Sequence, residues 1–193
     1  MNSFKDIMIQ NIDKAYDHQF ENDEWTKGDF FKMNQLKPDN SGKVGELTVS
    51  QICKKLNIPY HYEEDKNSQD GTYDIIVNKK MIELKTGRKS FGSFNFQHES
   101  LHKKATYDYL AFLDIYPTGQ MIFCLIKSEE MRWDSKIPVI NRKPHLRLGT
   151  EDIYKLDFGK KTHQNLIKNN MAIDLSLSSE EEFLNFLISR EVL

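Results

Sequence analysis

The sequence predicts a mixed α/β fold in which a central mixed β-sheet is flanked by helices. Apolar residues recur at helical spacing near both ends of the 193-residue chain. Two strongly apolar runs, "YLAFLDIYP" and "QMIFCLIKS", meet at Pro117-Thr118-Gly119 and indicate two buried antiparallel strands. A third observation is a pair of short strands around a tight turn within residues 72–87. Helices and strands that interleave along one chain pack around one core, so we expect a single domain over residues 1–193.

The N-terminal part is expected to supply two helices. The apolar spacing from Phe4 to Tyr16 predicts a helix over residues 3–20. Residues 21–42 are polar with scattered aromatics and end in the turn-prone "PDNSG", which indicates a connection. A second helix is predicted over residues 43–57, because Pro59 prevents it from continuing. The segment "YHYEE" that follows indicates a first strand.

The C-terminal half is less regular. The alternation in "SFNFQHE" predicts a strand with the Phe side chains on one face, and "SLHKKATY" predicts a short helix. Residues 129–178 have no clear periodicity, although "NRKPHLRLG" indicates a basic loop or a strand at a sheet edge. In "SSEEEFLNFLISR" a Ser precedes a Glu by three residues and an apolar spacing follows, which predicts a capped final helix.

The composition excludes several classes of protein. The longest apolar runs, such as Met121–Ile126, are too short to cross a bilayer. The N-terminus mixes acids into its apolar residues and lacks the basic start of a signal peptide. Cys53 and Cys124 lie in apolar surroundings, which predicts buried, reduced thiols and a cytoplasmic location. No Cys/His spacing fits a structural zinc site.

The net charge of −2 is distributed unevenly along the chain. Residues 79–104 carry seven basic and two acidic side chains, and residues 127–168 carry ten and six. The two ends are acidic, with six Lys against nine acids in residues 1–46 and one Arg against five acids in residues 169–193. Such local excess of positive charge is typical of a polyanion-binding surface on an acidic body, although solvated lysine faces give the same pattern.

The segment "TYDIIVNKKMIELKTG" at residues 72–87 predicts a β-hairpin closed by Asn78-Lys79, and "TGRKSFGS" at its end predicts a basic, glycine-containing turn. Asn tolerates the left-handed backbone that a two-residue turn requires. The turn fixes the register, and the register fixes the faces because side chains alternate with a period of two. The expected cross-strand partners are Val77 with Lys80, Ile75 with Ile82, Asp74 with Glu83 and Thr72 with Lys85.

This register gives the hairpin one apolar face and one charged face. Carboxylates that lie directly opposite each other repel, and they stay ionised together only when a cation lies between them. The apolar face carries Tyr73, Ile75, Val77, Ile82 and Leu84, with Lys80 at the turn, and the charged face carries Asp74, Ile76, Met81, Glu83 and Lys85.

Asp74 and Glu83 therefore have the chemistry of a metal site. A hard divalent cation such as Mg²⁺ is bound through one or two carboxylates, completed by waters and substrate phosphate. Lys85, one pleat along, could orient or deprotonate a water, or stabilise a pentavalent phosphate. The pattern thus predicts metal-assisted attack of water on a phosphodiester. The alternative is a solvent-facing hairpin with a surface Glu–Lys pair, which the apolar Ile76 and Met81 on the same face disfavour.

The residues Asp74 in "GTYDIIV" and Glu83 and Lys85 in "IELK" resemble the PD-(D/E)xK nuclease superfamily, and most of all type II restriction endonucleases. The likeness covers roughly residues 43–128 and includes "SFNFQHES" followed by "YDYLAFLDI". Tyr73 stands where the name-giving Pro would be. The resemblance implies a restriction-endonuclease-like fold whose catalytic core, at about 43–128, lies between an N-terminal helix and connection (1–42) and a DNA-binding C-terminal extension (129–193).

The resemblance also implies an activity and a set of residue roles. The expected activity is Mg²⁺-dependent hydrolysis of double-stranded DNA at a short specific sequence, leaving 5′-phosphate ends, with Mn²⁺ as the alternative metal. Asp74 and Glu83 would be metal ligands, and Lys85 would position or activate the water. Glu46 would support the metal or bind a second one, and Gln97 would contact the attacking water or the phosphate. A helix-surface Glu and an ordinary polar strand residue are the alternative interpretations of these two.

DNA contacts are expected from basic residues that follow the charged strand and from the later segment "NRKPHLRL". Lys and Arg neutralise backbone phosphates, and Arg also recognises guanine edges. A solvated basic loop is the alternative for the later segment. The candidates are Arg88, Lys89, Lys103, Lys104, Arg142, Lys143 and Arg147.

A chain with one such site needs a second copy to cut two strands. We therefore expect a homodimer whose two-fold symmetry matches a palindromic target, and a cognate DNA methyltransferase as a further partner. Two other interpretations stay open: a repair, recombination or phage nuclease that recognises DNA structure, and a catalytically silent DNA-binding module on the same fold. RNA is a less favoured substrate, because the sequence has no aromatic-rich RNA-recognition signature.

Overall fold

The structure, a computed structural model, describes residues 3–15, 28–63, 73–89, 95–102, 106–131, 141–144 and 153–193. Within these ranges the chain is mixed α+β, with a central mixed sheet of six strands that is flanked by four helices. The predicted fold class is confirmed. No helix in the described ranges is long and apolar enough to cross a membrane.

The helices agree with the sequence prediction in kind but differ at one boundary. The described residues form α1 (Phe4–Ala15), α2 (Pro38–Lys55), α3 (Lys160–Lys168) and α4 (Glu180–Ser189), with a short 3-10 helix at Phe31–Gln35. Helix α2 begins at Pro38 and not at residue 43, so "PDNSG" is its first turn and not a connection. The reason is that proline suits the first helical position, where the missing N–H would have no partner anyway.

The predicted cap of the last helix is confirmed. The Ser179 hydroxyl accepts a hydrogen bond from the Glu182 N–H at 3.2 Å, and the Glu182 carboxylate accepts one from the Ser179 N–H at 2.7 Å. Two backbone donors at the start of α4 are thereby satisfied reciprocally.

The strands form two sheets. The described strands are β1 (Tyr60–His61), β2 (Ile75–Val77), β3 (Lys80–Arg88), β4 (Asn95–His102), β5 (Tyr109–Ile115), β6 (Met121–Lys127), β7 (Asn141–Pro144), β8 (Ile153–Gly159) and β9 (Ala172–Asp174). The six-stranded sheet has the order β1-β2-β3-β5-β6-β9, and the three-stranded sheet has the order β4-β8-β7. In the larger sheet β3 and β5 are parallel and the other neighbours are antiparallel. The predicted antiparallel pairing of the two apolar runs is confirmed as β5 with β6.

The hairpin has the predicted turn and register. Asn78 and Lys79 both adopt the left-handed conformation, with φ angles of 45° and 67°. Ile75 pairs with Ile82 and Val77 with Lys80, as expected. The described ladder ends at Ile75, so the expected pairing of Asp74 with Glu83 is not part of it, and Thr72 lies outside the described residues.

Two strands extend over segments that we predicted differently. Strand β3 continues through Thr86-Gly87-Arg88, which we expected in a turn, because it pairs in parallel with β5 as far as Ile115. Strand β4 continues through Ser100–His102, which we expected in a helix, because Leu101 is buried and pairs with Tyr154 of β8.

Each face of the central sheet has its own core. Helices α1, α2 and α4 cover one face, and the apolar hairpin residues Ile75, Val77, Ile82 and Leu84 lie in that core as predicted. The three-stranded sheet and α3 cover the other face. Tyr73 was expected on the same face as Ile75 but packs against the second core. The β2–β3 ladder begins at Ile75, so the alternation of side chains does not extend back to Tyr73.

Helix α2 approaches β3 closely at Gly45. A Cβ atom at Gly45 would overlap the Thr86 side chain and lie 3.0 Å from the Thr86 Cβ. Only glycine therefore allows this helix-to-strand distance, and the same approach brings the next residue, Glu46, to the edge of β3. Gly42, one turn earlier on α2, has no such neighbour, since its nearest contact would be the Glu46 carboxylate at 3.9 Å.

These two glycines make a matched pair for a stability test. We expect Gly45→Ala to lower the free energy of unfolding by about 1–3 kcal/mol, because it overpacks a buried contact. Gly42→Ala is expected to raise it by about 0.5–1 kcal/mol through helix propensity alone. Urea denaturation monitored by circular dichroism measures both, and equal effects of the two substitutions would contradict the close approach.

Candidate active site at the edge of strand β3

Strand β2 begins only at Ile75, so among the described residues no strand pairs with β3 beyond Ile82 on the β2 side. From Glu83 to Arg88 the described ladder of β3 continues only toward β5. Asp74 lies where β2 would have continued. Its N–H donates to the Ile82 carbonyl at 2.9 Å, and its Oδ2 accepts the Leu84 N–H at 2.7 Å. The Asp74 carboxylate thus takes the place of a backbone carbonyl and is fixed beside the segment that carries Glu83 and Lys85.

Glu83 and Lys85 form an ion pair on the charged face of β3. Their side chains are 13% and 26% exposed, so the pair is partly removed from water but can still be reached. Burial alone would lower the pKa of Lys85, but the carboxylates of Glu83, Asp74 and Glu46 together raise it above its ordinary value. Lys85 is therefore surrounded by acidic groups.

Glu46 on α2 is the third acid of this group. Its pKa is raised to about 7, first because the side chain is buried and second because the charge of Asp74 is close. The nearby Tyr62 hydroxyl and the charges of Lys85 and Lys43 partly offset this increase in pKa. Glu46 thus faces the Asp74 and Lys85 side chains, which the interpretation as a helix-surface glutamate does not explain.

The donor set suits a hard divalent cation. Three carboxylates surround Lys85, and the charge of Asp74 adds to burial in raising the pKa of Glu46. Among the described residues, no three His, Cys, Asp or Glu side chains form a complete cage for a metal ion. Mg²⁺ does not need one, because it is commonly held by one or two carboxylates and keeps its other ligands from water and phosphate.

Gln97 lies on β4, in the second sheet. It is exposed and faces away from the buried Phe96, as predicted from the alternation. Its cross-strand partner is Asp157 of β8. Strand β4 packs against β3 through the face that carries Phe96 and His98, so Gln97 lies on the opposite face, away from the charged face of β3.

The predicted DNA-binding residues differ in where they lie and in what they contact. Arg88 was expected to clamp phosphate, but its Nη1 donates to the carbonyls of Met33 at 2.8 Å and Leu36 at 2.7 Å. This guanidinium ties the segment before α2 to the end of β3. The side chain of Lys89 is half-buried. Arg142 and Lys143 lie on β7 as partners of Leu156 and Lys155, whereas Lys103, Lys104 and Arg147 lie outside the described residues.

Two tyrosines join the site without any signal in the sequence. Tyr62, just after β1, lies close enough to Glu46 for its hydroxyl to lower the pKa of that carboxyl. Tyr107, just before β5, is buried and donates to the His102 carbonyl at 2.9 Å. Burial raises the pKa of Tyr107, and the nearby charge of Glu83 raises it further. Neither tyrosine has a characteristic spacing from the acids, so sequence reasoning had no means to find them.

The comparisons with known proteins add no homologue. No protein-family model, curated protein or solved structure matches this chain. The function must therefore be argued from the chemistry of the site.

Removal of one acid tests the excess negative charge directly. We expect Glu46→Gln to increase the free energy of unfolding by about 1–3 kcal/mol at pH 8, in buffer with EDTA. The Glu46 pKa is raised from 4.5 to about 7 in the folded protein, so the folded state loses stability as pH rises through this window. The gain should therefore shrink as pH falls to about 5.

A comparison variant keeps this measurement specific. Glu99→Gln removes an exposed ion pair with Lys155, so it should lower stability by a few tenths to about 1 kcal/mol. Urea denaturation at both pH values measures the two variants. A Glu46→Gln protein that is no more stable than the unmodified chain at pH 8 would show that Glu46 carries no excess charge.

Proposed function

We propose that the chain is a metal-dependent endonuclease that hydrolyses phosphodiester bonds of double-stranded DNA at a short specific sequence. One observation carries this proposal: Asp74, Glu83, Lys85 and Glu46 meet at the same edge of β3. A purely structural edge gains nothing from three acids around one lysine, because each additional buried charge costs stability. The PD-(D/E)xK pattern in the sequence supports the same conclusion independently of the charge argument.

The metal would be held by Asp74 and Glu83, with Glu46 as a further acid. Mg²⁺, or Mn²⁺ in its place, would neutralise the excess negative charge and polarise a phosphate oxygen. Asp74 would use the oxygen that does not bond to Leu84, while Glu83 would exchange part of its pairing with Lys85 for the metal.

The reaction proposed is hydrolysis with a water as nucleophile. The water oxygen attacks phosphorus, the bond from phosphorus to the 3′-oxygen breaks, and a 5′-phosphate and a 3′-hydroxyl are left. The Lys85 ammonium, partly exposed beside Glu83, is placed to donate hydrogen bonds to the water or to a phosphate oxygen that gains charge.

Cutting both strands would require a second copy of the chain, so we propose a homodimer. DNA contacts are proposed for Lys89, Arg142 and Lys143, and also for Lys103, Lys104 and Arg147. A restriction role would also require a cognate DNA methyltransferase that protects the host sequence. A cytoplasmic location suits this role and suits the two buried, free cysteines, Cys53 and Cys124.

The test is cleavage of phage-sized linear DNA by the purified protein with Mg²⁺. The informative variant is Asp74→Asn, because its side-chain oxygen can still accept the Leu84 N–H while the charge is lost. The matched control is Asp108→Asn, since the Asp108 carboxylate accepts the Met81 N–H of the same strand, also at 2.7 Å. We expect Asp74→Asn to reduce the cleavage rate by about 10³-fold or more, and Asp108→Asn to retain it.

The products distinguish the possible roles. Discrete fragments that disappear with EDTA and in Asp74→Asn would support a sequence-specific nuclease. A smear with the same dependence would keep the chemistry and replace the restriction role with recognition of DNA structure. Absence of cleavage, with equal DNA binding by the unmodified protein and Asp74→Asn, would replace the enzyme with a binding module.

A further inference from the structure

A buried polar cluster joins the two sheets next to the candidate site. Asp114 of β5 has one carboxylate oxygen 2.6 Å from the His163 Nε2 of α3 and the other 3.0 Å from the His98 Nε2 of β4. The His163 Nδ1 lies 2.9 Å from the Tyr116 hydroxyl. These three elements come from the central sheet, the covering sheet and the helix beside it, and we call His98, Asp114 and His163 the junction.

The junction is completely enclosed. The side chains of Asp114, His98 and His163 are 0%, 1% and 3% exposed. A buried carboxylate without partners would strongly destabilise the folded state, so the two imidazoles are needed to offset the cost of burying Asp114. Burial alone would raise the pKa of Asp114, but His98 and His163 lower it below its ordinary value. The carboxylate therefore lies between two imidazoles, hydrogen-bonded to His163 and in close contact with His98.

The junction lies one pleat from Lys85. In the parallel ladder Gly87 pairs with Asp114, and Gly87 shares the face of β3 that carries Lys85. A Cβ atom at Gly87 would overlap the Asp114 carboxylate and lie 2.7 Å from the His98 Cε1. The backbone of β3 thus touches the junction directly, two residues after the lysine of the site.

His98 belongs to the face of β4 that packs against the central sheet. Among the described strands, β4 is not hydrogen-bonded into the central sheet, so apolar contacts and the junction hold it there. Apolar contacts such as those of the His98 ring with Phe112 and Phe158, at 4.7 and 5.2 Å between centroids, are weakly directional. The junction adds polar contacts between fixed partners: the His163 Nε2 is hydrogen-bonded to one Asp114 oxygen, and the His98 Nε2 lies 3.0 Å from the other. Such contacts favour one arrangement among several that bury similar area.

We propose that His98, Asp114 and His163 are positioning residues that hold β4 in one place against the Lys85 end of β3. The part of this inference that concerns cleavage rests on the proposed function. The part that concerns the placement of β4 does not, because it follows from the contacts alone.

The test substitution is Asp114→Asn. An asparagine amide is neutral and has one acceptor oxygen, so it can keep the bond to His163 but loses the carboxylate contact with His98 of β4. The matched control is Asp174→Asn at the far edge of the central sheet, where the carboxylate accepts from Gln120 at 2.7 Å and from the Ser176 N–H at 3.0 Å. Should Asp114→Asn not fold, Tyr116→Phe removes only the outer hydroxyl of the network and should change the same measurements less.

Two measurements are made on the folded proteins at low temperature. Amide hydrogen exchange reports the placement of β4, and we expect exchange at residues 95–102 to be faster in Asp114→Asn than in Asp174→Asn by about tenfold or more. Single-turnover cleavage at saturating protein reports the chemistry. We expect Asp114→Asn to slow it by about 10- to 100-fold with DNA affinity retained, and Asp174→Asn to leave it unchanged.

A double-mutant cycle separates positioning from a general loss of structure. If Asp114 and Tyr116 act through the same network, then Tyr116→Phe with Asp114→Asn should be no slower than the slower single variant. Multiplied effects, or β4 exchange equal to that of Asp174→Asn, would overturn the proposal. If the unmodified protein cuts no DNA with any divalent metal, the proposed function fails, and hydrogen exchange alone then decides whether the junction positions β4.

Discussion

The two-residue turn at Asn78-Lys79 decides which side of the central sheet carries the charges. A slip of one residue in the register would exchange the faces of β3, and Glu83 and Lys85 would enter the core beneath the helices. Two hydrogen bonds to other parts of the chain anchor the turn. The Asn78 N–H donates to the Pro59 carbonyl at 2.7 Å, and its side-chain amide donates to the Val192 carbonyl at 2.7 Å. The candidate site therefore depends on a contact more than a hundred residues away in sequence.

A second constraint follows from the first. Because the β2–β3 ladder begins at Ile75, the Leu84 N–H has no acceptor in β2. The Asp74 carboxylate accepts its hydrogen bond instead. Gly45 then allows α2 to approach the same edge closely enough for Glu46 to join. Each step satisfies the backbone locally, but together they gather three carboxylates around Lys85. Crowding three carboxylates costs stability. Where such a cost occurs in a fold whose other interactions agree with its structure, the costly group is a candidate functional site.

The hairpin, the β5–β6 pair and the cap of α4 could be predicted because short-range rules determine them. Alternation, a left-handed Asn and a Ser followed three residues later by Glu each act within a few positions. The start of α2 was wrong, because "PDNSG" suits both a turn and a proline-led first helical turn. Tyr73 was placed on the wrong face, because the end of the ladder at Ile75 depends on packing.

The remaining features depend on residues that are distant in sequence. His98, Asp114 and His163 come from three different elements, and no spacing connects them. Strand β8, helix α3 and strand β9 lie in the region without clear periodicity, because they are short and α3 packs against strands of both sheets. In the site itself, Asp74, Glu83 and Lys85 were predicted from one hairpin, whereas Tyr62 and Tyr107 depend on how other strands dock.

The central claim is that the acids at the edge of β3 form a site for a divalent cation. The most direct measurement is Mn²⁺ binding without DNA, followed by electron paramagnetic resonance, in the unmodified protein, Asp74→Asn and Asp108→Asn. The account predicts binding by the unmodified protein and Asp108→Asn, and affinity weaker by about tenfold or more, or about 1.4 kcal/mol, in Asp74→Asn. Equal affinity in all three proteins, or no binding by the unmodified chain, would contradict it.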